Sequence, residues 1–187
     1  QLTDSGSCGE TLTWTYDLVR HSLTISGSGD MTDYSPEDPA PWKKYVSDIY
    51  WLVVEEGVTG IGDYAFAYTS LEKITIPNNV KSIKERAFFS CPNLTYIKFP
   101  KKVDDFGSNV LGFCYALEEI VLPTENTQVP DHLAWFCKGL RKVTIPAGVT
   151  EIGPKAFKDC ESLETVVIPD SVKSIGEGAF ENDKKLK

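Results

Sequence analysis

The 187-residue sequence predicts an α/β solenoid, a right-handed superhelix of repeats about 23 residues long, with an amino-terminal β-rich cap. Each repeat is expected to supply a short strand, paired in parallel with its neighbours, and a short helical turn. Three observations predict this. A leucine recurs at Leu71, Leu94, Leu117, Leu140, Leu163 and Leu186, always 23 residues apart. Two further columns keep phase with it: Pro77, Pro100, Pro123, Pro146 and Pro169 follow the leucine by six, and Cys91, Cys114, Cys137 and Cys160 precede it by three. A second apolar position runs Ile61, Ile83, Phe106, Val129, Ile152 and Ile175, followed in four units by a pair such as Ala65-Phe66 or Ala156-Phe157.

In chain order, residues 1–46 carry no repeat and read as the cap. Leu12, Trp14 and Tyr16 alternate with Thr11, Thr13 and Thr15, the pattern of a half-buried strand. After a turn near Arg20-His21, Leu23 and Ile25 continue the alternation until Gly27-Ser28-Gly29-Asp30 ends it. Pro39-Ala40-Pro41-Trp42 reads as a rigid connector with a docking aromatic. A terminal rung would otherwise expose its apolar edge, which is why an array needs such a cap. Residues 47–187 form the solenoid, and Ile49 to Val54 fit the strand template as a first rung.

Within a repeat, Leu71, Ile74 and Ile76 point inward while Lys73 and Thr75 point outward. Ile-Gly-x-x-Ala-Phe is expected to turn into a short helix whose phenylalanine packs inside. Stacked strands lie about 4.8 Å apart, so six rungs make a rod on the order of 25–30 Å long. Each inward Leu, Ile or Phe contributes roughly 1.5–3 kcal/mol when buried, enough in sum to offset the entropy of ordering a rung. The unit from Phe66 to Leu71 is one residue shorter than that from Phe88 to Leu94. The stretch Glu125 to Phe136 lacks both the Ile-Gly and Ala-Phe pairs, so its turn is expected to be reshaped, through function or through drift.

Composition narrows the function classes. Apolar residues are 41% and aromatic residues 11% of the chain, a globular balance. A net charge of −8 disfavours nucleic acid and anionic membrane surfaces as partners. No apolar run approaches the roughly 18–20 residues of a membrane span. The chain opens Gln1-Leu2-Thr3-Asp4 without a basic-then-apolar leader and stops within a repeat, so both ends are expected to be cut or processed ends.

These residues resemble the BspA-like leucine-rich-repeat family, also described as the Treponema pallidum type. The resemblance rests on Ile61-Gly62-Asp63-Tyr64-Ala65-Phe66, on Ile74-Thr75-Ile76-Pro77 with Val80, and on Ile152-Gly153-Pro154-Lys155-Ala156-Phe157-Lys158-Asp159-Cys160. Leu163 to Pro169 with Val172, then Ile175-Gly176-Glu177-Gly178-Ala179-Phe180, repeat it. The opening, Cys8-Gly9 with Leu12-Thr13-Trp14 and then Leu23 to Gly29, is similar to the segment preceding such repeats in proteins of gut Firmicutes. The resemblance implies a curved solenoid, a bacterial cell-surface or secreted setting and a role in adhesion to host or matrix proteins. It implies no catalytic residues and no cofactor.

The cysteine column could mean disulfides, a metal site or a ladder of buried thiols. Stacked side chains point in parallel with Cβ atoms about 4.8 Å apart, beyond the usual 3.5–4.5 Å of a disulfide. Four ligands in a straight column cannot wrap a tetrahedral zinc. Buried thiols acting as small apolar residues fit best, with Cys8 buried in the cap. His21 and His132 fall far apart, and no Ser-His-Asp or Cys-His set is recognisable. Asp30, Asp33, Glu37 and Asp38, or Asp104-Asp105, could bind calcium, but they lack EF-hand spacing and read more simply as solvated loops.

The outward strand positions remain as the candidate site. They are Trp51 and Val53, Lys73, Tyr96 and Lys98, Glu119 and Val121, and Lys142, with Thr75, Thr144, Thr165 and Val167 beside them. Aromatic anchors flanked by charges suit a protein interface; an ordinary solvated sheet, or Trp51 tucked under the cap, would explain the same residues. Two functional readings follow: a non-enzymatic protein-binding or adhesion module, and a structural spacer within a larger surface protein.

Overall fold

The computed structural model describes residues 2–187. The chain starts with β1 (Thr3–Ser7), β2 (Leu12–Asp17) and β3 (Ser22–Gly27), an antiparallel meander. Leu12, Trp14, Tyr16, Leu23 and Ile25 are buried, as their alternation predicts. The strand β1 has no such alternation; it is held by backbone pairing with β2 in full register from Thr3↔Asp17 to Ser7↔Thr13. After β4 (Gly29–Asp30) a loop carries Trp42 into the core, where it is fully buried. Its ring stacks on Phe66 with centroids 5.5 Å apart, and its Nε1 donates to the Ala65 carbonyl at 2.9 Å. A 3-10 helix over Lys43–Asp48 follows.

The repeats then build two faces. β5 (Trp51–Val54) pairs in parallel with β3, completing the sheet β1-β2-β3-β5. Beside it, β7 (Lys73–Thr75), β9 (Tyr96–Lys98), β11 (Glu119–Val121), β13 (Lys142–Thr144) and β15 (Thr165–Val167) form a five-stranded parallel sheet. The second face comes from the Ile61 column, which forms strands: β6 (Val58–Ile61), β8 (Ser82–Ile83), β10 (Asp105–Phe106), β12 (Gln128–Val129), β14 (Glu151–Ile152) and β16 (Ser174–Ile175). β4 pairs with β6 here, so hydrogen-bonded strand pairs cross from residues 1–46 into the repeats on both faces. Between the faces lie the buried leucines 71, 94, 117, 140 and 163 and the phenylalanines 66, 88 and 157.

The third side of each rung is a turn and not the expected helical turn. Among the described residues the one helix is the 3-10 segment Lys43–Asp48. Two residues four apart in each turn take the left-handed backbone conformation: Tyr64 and Tyr68, Arg86 and Ser90, Asn109 and Phe113, His132 and Phe136, Lys155 and Asp159. A helix cannot propagate through such residues. The amides instead bond to the next rung: Tyr64 to Glu85, Phe66 to Ala87 and Tyr68 to Phe89. Stacking thus satisfies backbone groups that a helix one turn long would leave open.

The irregular repeat keeps its turn. His132 and Phe136 hold the standard left-handed positions, and Leu133 and Ala134 are buried. The irregularity lies in the second sheet, which splits into β4-β6-β8-β10 and β12-β14-β16. Elsewhere the residue after the Ile column donates its amide to that column one rung back, as Gly107 does to Ile83 and Gly153 to Val129. In the split rung that residue is Pro130, which has no N–H to give.

Candidate binding face

Strand alternation sends Ile74, Ile97, Ile120 and Val143 into the core and their neighbours outward. One outward row runs Lys73↔Tyr96↔Glu119↔Lys142↔Thr165 in direct register. A second runs Thr75↔Lys98↔Val121, with Thr144↔Val167 beyond it. Lys73, Lys98, Glu119 and Lys142 are exposed; Tyr96 and Val121 are half-buried against their neighbours. The structure therefore brings six of the eight expected residues onto one sheet. Around Tyr96 lies a shallow depression of about 860 Å³ walled by Lys73, Thr95, Glu118, Glu119, Arg141 and Lys142. Cations and carboxylates alternate along it.

Trp51 and Val53 stand on β5, in the sheet shared with the cap, next to β7. Trp51 is 52% exposed and Val53 49%, so neither is covered by the cap. Their partners Ser22 and Thr24, and beyond them Thr15 and Ser5, carry the outward surface onto the cap as a hydroxyl-rich strip. The alternation in β2 and β3 marks those residues in the sequence, but nothing there says that β3 lies beside β5.

The four column cysteines are fully buried and unpaired, and Cys8 is buried in the cap. Each column thiol donates to a turn carbonyl of the preceding rung: Cys91 to Phe66, Cys114 to Phe88 and Cys137 to Leu111, each at 3.2 Å, and Cys160 to Ala134 at 3.3 Å. Burial pushes the Cys8 thiol up to about 11 and Cys137 to about 12, and raises Cys114 and Cys160 as well. His21 Nδ1 lies 3.1 Å from the Tyr16 hydroxyl in the cap, and His132 Nδ1 lies 3.0 Å from Asp131 Oδ2 in a distant turn. Asp30 accepts from the Thr59 hydroxyl and Asp33 from the Asp63 amide. Among the described residues no three His, Cys, Asp or Glu side chains gather as a metal site. Nor is any helix there long and apolar enough to cross a membrane.

One further feature is absent from the sequence reading. On the turn side, exposed Tyr68 and Tyr115 join half-buried Phe89, Phe113, Trp135 and Phe136 in a chain of ring contacts between 4.9 and 6.2 Å. Tyr68, Phe113 and Phe136 share one position of the repeat, and Phe89 and Trp135 the position before it, but Ser90 and Asp159 interrupt the first column and Ala67, Gly112 and Lys158 the second.

Residues 59–187 match the family model described as BspA type leucine rich repeat region, in six copies. No curated protein matches the chain in sequence. Among solved structures, a T. pallidum leucine rich repeat protein aligns with 97% of this chain and 90% of its own, with a TM-score of 0.71 and 22% identity. A leucine rich cell surface protein from Faecalibacterium prausnitzii has a TM-score of 0.54 and 25% identity over 76% of this chain; the alignment spans 54% of that protein. A leucine-rich repeat protein from Eubacterium ventriosum, 17% identical, covers 97% of this chain and 95% of its own with a TM-score of 0.50.

Proposed function

The chain belongs to the BspA-type leucine-rich-repeat family, and on that premise we propose that it is a non-enzymatic protein-binding or adhesion module of a bacterial cell surface or secreted protein. The observation that carries the reading is the registered row Lys73, Tyr96, Glu119 and Lys142 along one exposed sheet. Rigid parallel strands hold these side chains at a constant spacing, which lowers the entropy that a partner must overcome on docking. Tyr96 supplies an aromatic anchor, the flanking charges supply orientation, and Trp51 and Val53 extend the apolar contact toward the cap. Solenoids commonly bind extended partners along such faces. The cell-surface description of the Faecalibacterium prausnitzii protein supports the location.

The test is binding of the chain to a panel of host extracellular-matrix proteins, followed by Tyr96→Ser and Trp51→Ser. A weakening of tenfold or more, about 1.4 kcal/mol, is the expected effect of losing a central anchor. Binding indifferent to both changes refutes the sheet face as the site. A chain that binds no protein at all supports the spacer reading instead.

A further inference from the structure

The column that holds the four thiols does not end with them. Twenty-two residues before Cys91 stands Thr69, and 23 after Cys160 stands Asp183. Thr69 donates its hydroxyl to the Phe66 carbonyl at 2.8 Å, and each of the four column cysteines donates its thiol to a turn carbonyl of the preceding rung. From Thr69 to Cys160, then, every side chain in this column is a donor.

Asp183 is only 9% exposed. Its Oδ1 accepts the Cys160 amide at 2.8 Å, while its Oδ2 is buried without a partner. The Phe157 carbonyl stands where the Ala134 carbonyl stands one rung earlier, and no donor reaches it among the described residues. Three earlier column amides bond to their own turns, Thr69 to Phe66, Cys114 to Leu111 and Cys137 to Ala134; the Cys160 amide bonds to Asp183 instead. An ionised carboxylate here would leave a buried acceptor without a donor, in a column that elsewhere supplies one.

We propose that Asp183 completes the column as a neutral carboxylic acid whose Oδ2–H donates to the Phe157 carbonyl, and that its ionisation acts as a pH switch on the packing of its rung against the preceding one. The surrounding charges favour this state. From the preceding turn Asp159 and Cys160 face it, and Asp159 is held by Trp135 Nε1 and Asn182 Nδ2. Glu181 on its own turn is paired with Lys158. No lysine or arginine pairs with Asp183 among the described residues. Burial raises the carboxyl from 3.8 to about 7; the Cys160 amide opposes the rise and Asp159 adds to it.

The folded carboxyl therefore holds its proton more tightly than the unfolded one. Stability of the rung that carries Asp183 is full below the ordinary carboxylate range. It falls as pH climbs toward 7, about tenfold per pH unit in the opening equilibrium, and levels off above.

A carbon-13 NMR titration of the Asp183 carboxyl, with exchange of the Cys160 amide followed across the same pH range, tests this directly. The expected midpoint is about 7, with protection falling as pH climbs from the ordinary carboxylate range toward 7 and no further loss above it. Asp183→Asn keeps both an acceptor for Cys160 and a donor for Phe157, so it should hold its protection at every pH. A midpoint near 4, or an unchanged pH dependence in Asp183→Asn, overturns the proposal.

Discussion

A column cysteine in this array is fully buried among apolar side chains and carries a weak donor aimed at a carbonyl. Both properties matter, because a buried acceptor without a partner costs about 1–3 kcal/mol. The thiolate is the reactive form, and burial holds Cys8, Cys114, Cys137 and Cys160 above their ordinary values. Burial acts on Cys91 too, but hydrogen bonds with Cys114 and Thr69 outweigh it and lower that thiol. Since all five thiols are buried out of a reagent's reach, the folded chain is expected to show no reaction with a thiol reagent at neutral pH, and five thiols once denatured. A count of three or fewer after denaturation would mean that disulfides form along the column.

At the scale of elements, the repeat replaces local hydrogen bonds with bonds between rungs. Left-handed residues open each turn, and its alternate amides reach the next rung. The same dependence explains the split second sheet. The amides of Asp104 and Asp105 both bond to the Lys81 carbonyl, and those of Thr150 and Glu151 to the Thr127 carbonyl. At the split, the Thr127 and Gln128 amides have no corresponding acceptor on the rung before. Native-state hydrogen exchange should therefore find these two amides less protected than Thr150 and Glu151, with the array otherwise intact. Equal protection would mean that the ladder is continuous past Pro130.

At the scale of the molecule, each rung depends on its neighbours for both its apolar and its polar partners, so the ends need separate treatment. The cap meets the first rungs through β3, through β4 and through Trp42. The indole covers Phe66, itself stacked on Phe88 with centroids 5.4 Å apart, and so extends the interior aromatic stack. Trp42→Ala should cost about 3–5 kcal/mol. If residues 1–46 act as the cap of the array, the loss will appear as a lower denaturant midpoint for the whole chain, read by circular dichroism. A change confined to cap signals would show that cap and array unfold separately.

Much of this architecture is legible in the sequence, because a 23-residue period held in several columns has few physical solutions. The columns determined the parallel sheet, the inward leucines, the buried thiols and the outward positions Lys73, Tyr96, Lys98, Glu119, Val121 and Lys142. Alternation in β2 and β3 and the Pro-Trp connector determined the core of the cap. Three things were decided only in three dimensions. The Ile61 column forms strands and the following segment a turn, since two-residue strands and left-handed residues leave almost no periodic signal. The strand β1 forms in a segment with no apolar pattern because β2 offers it an open edge. Asp183 falls in the thiol column by its 23-residue spacing, but only the stacked rungs decide that an acid there is buried with one carboxylate oxygen on the Cys160 amide and the other without a partner. Periodicity reports what a rung must bury; which backbone groups are left for its neighbours to satisfy depends on how the rungs are stacked.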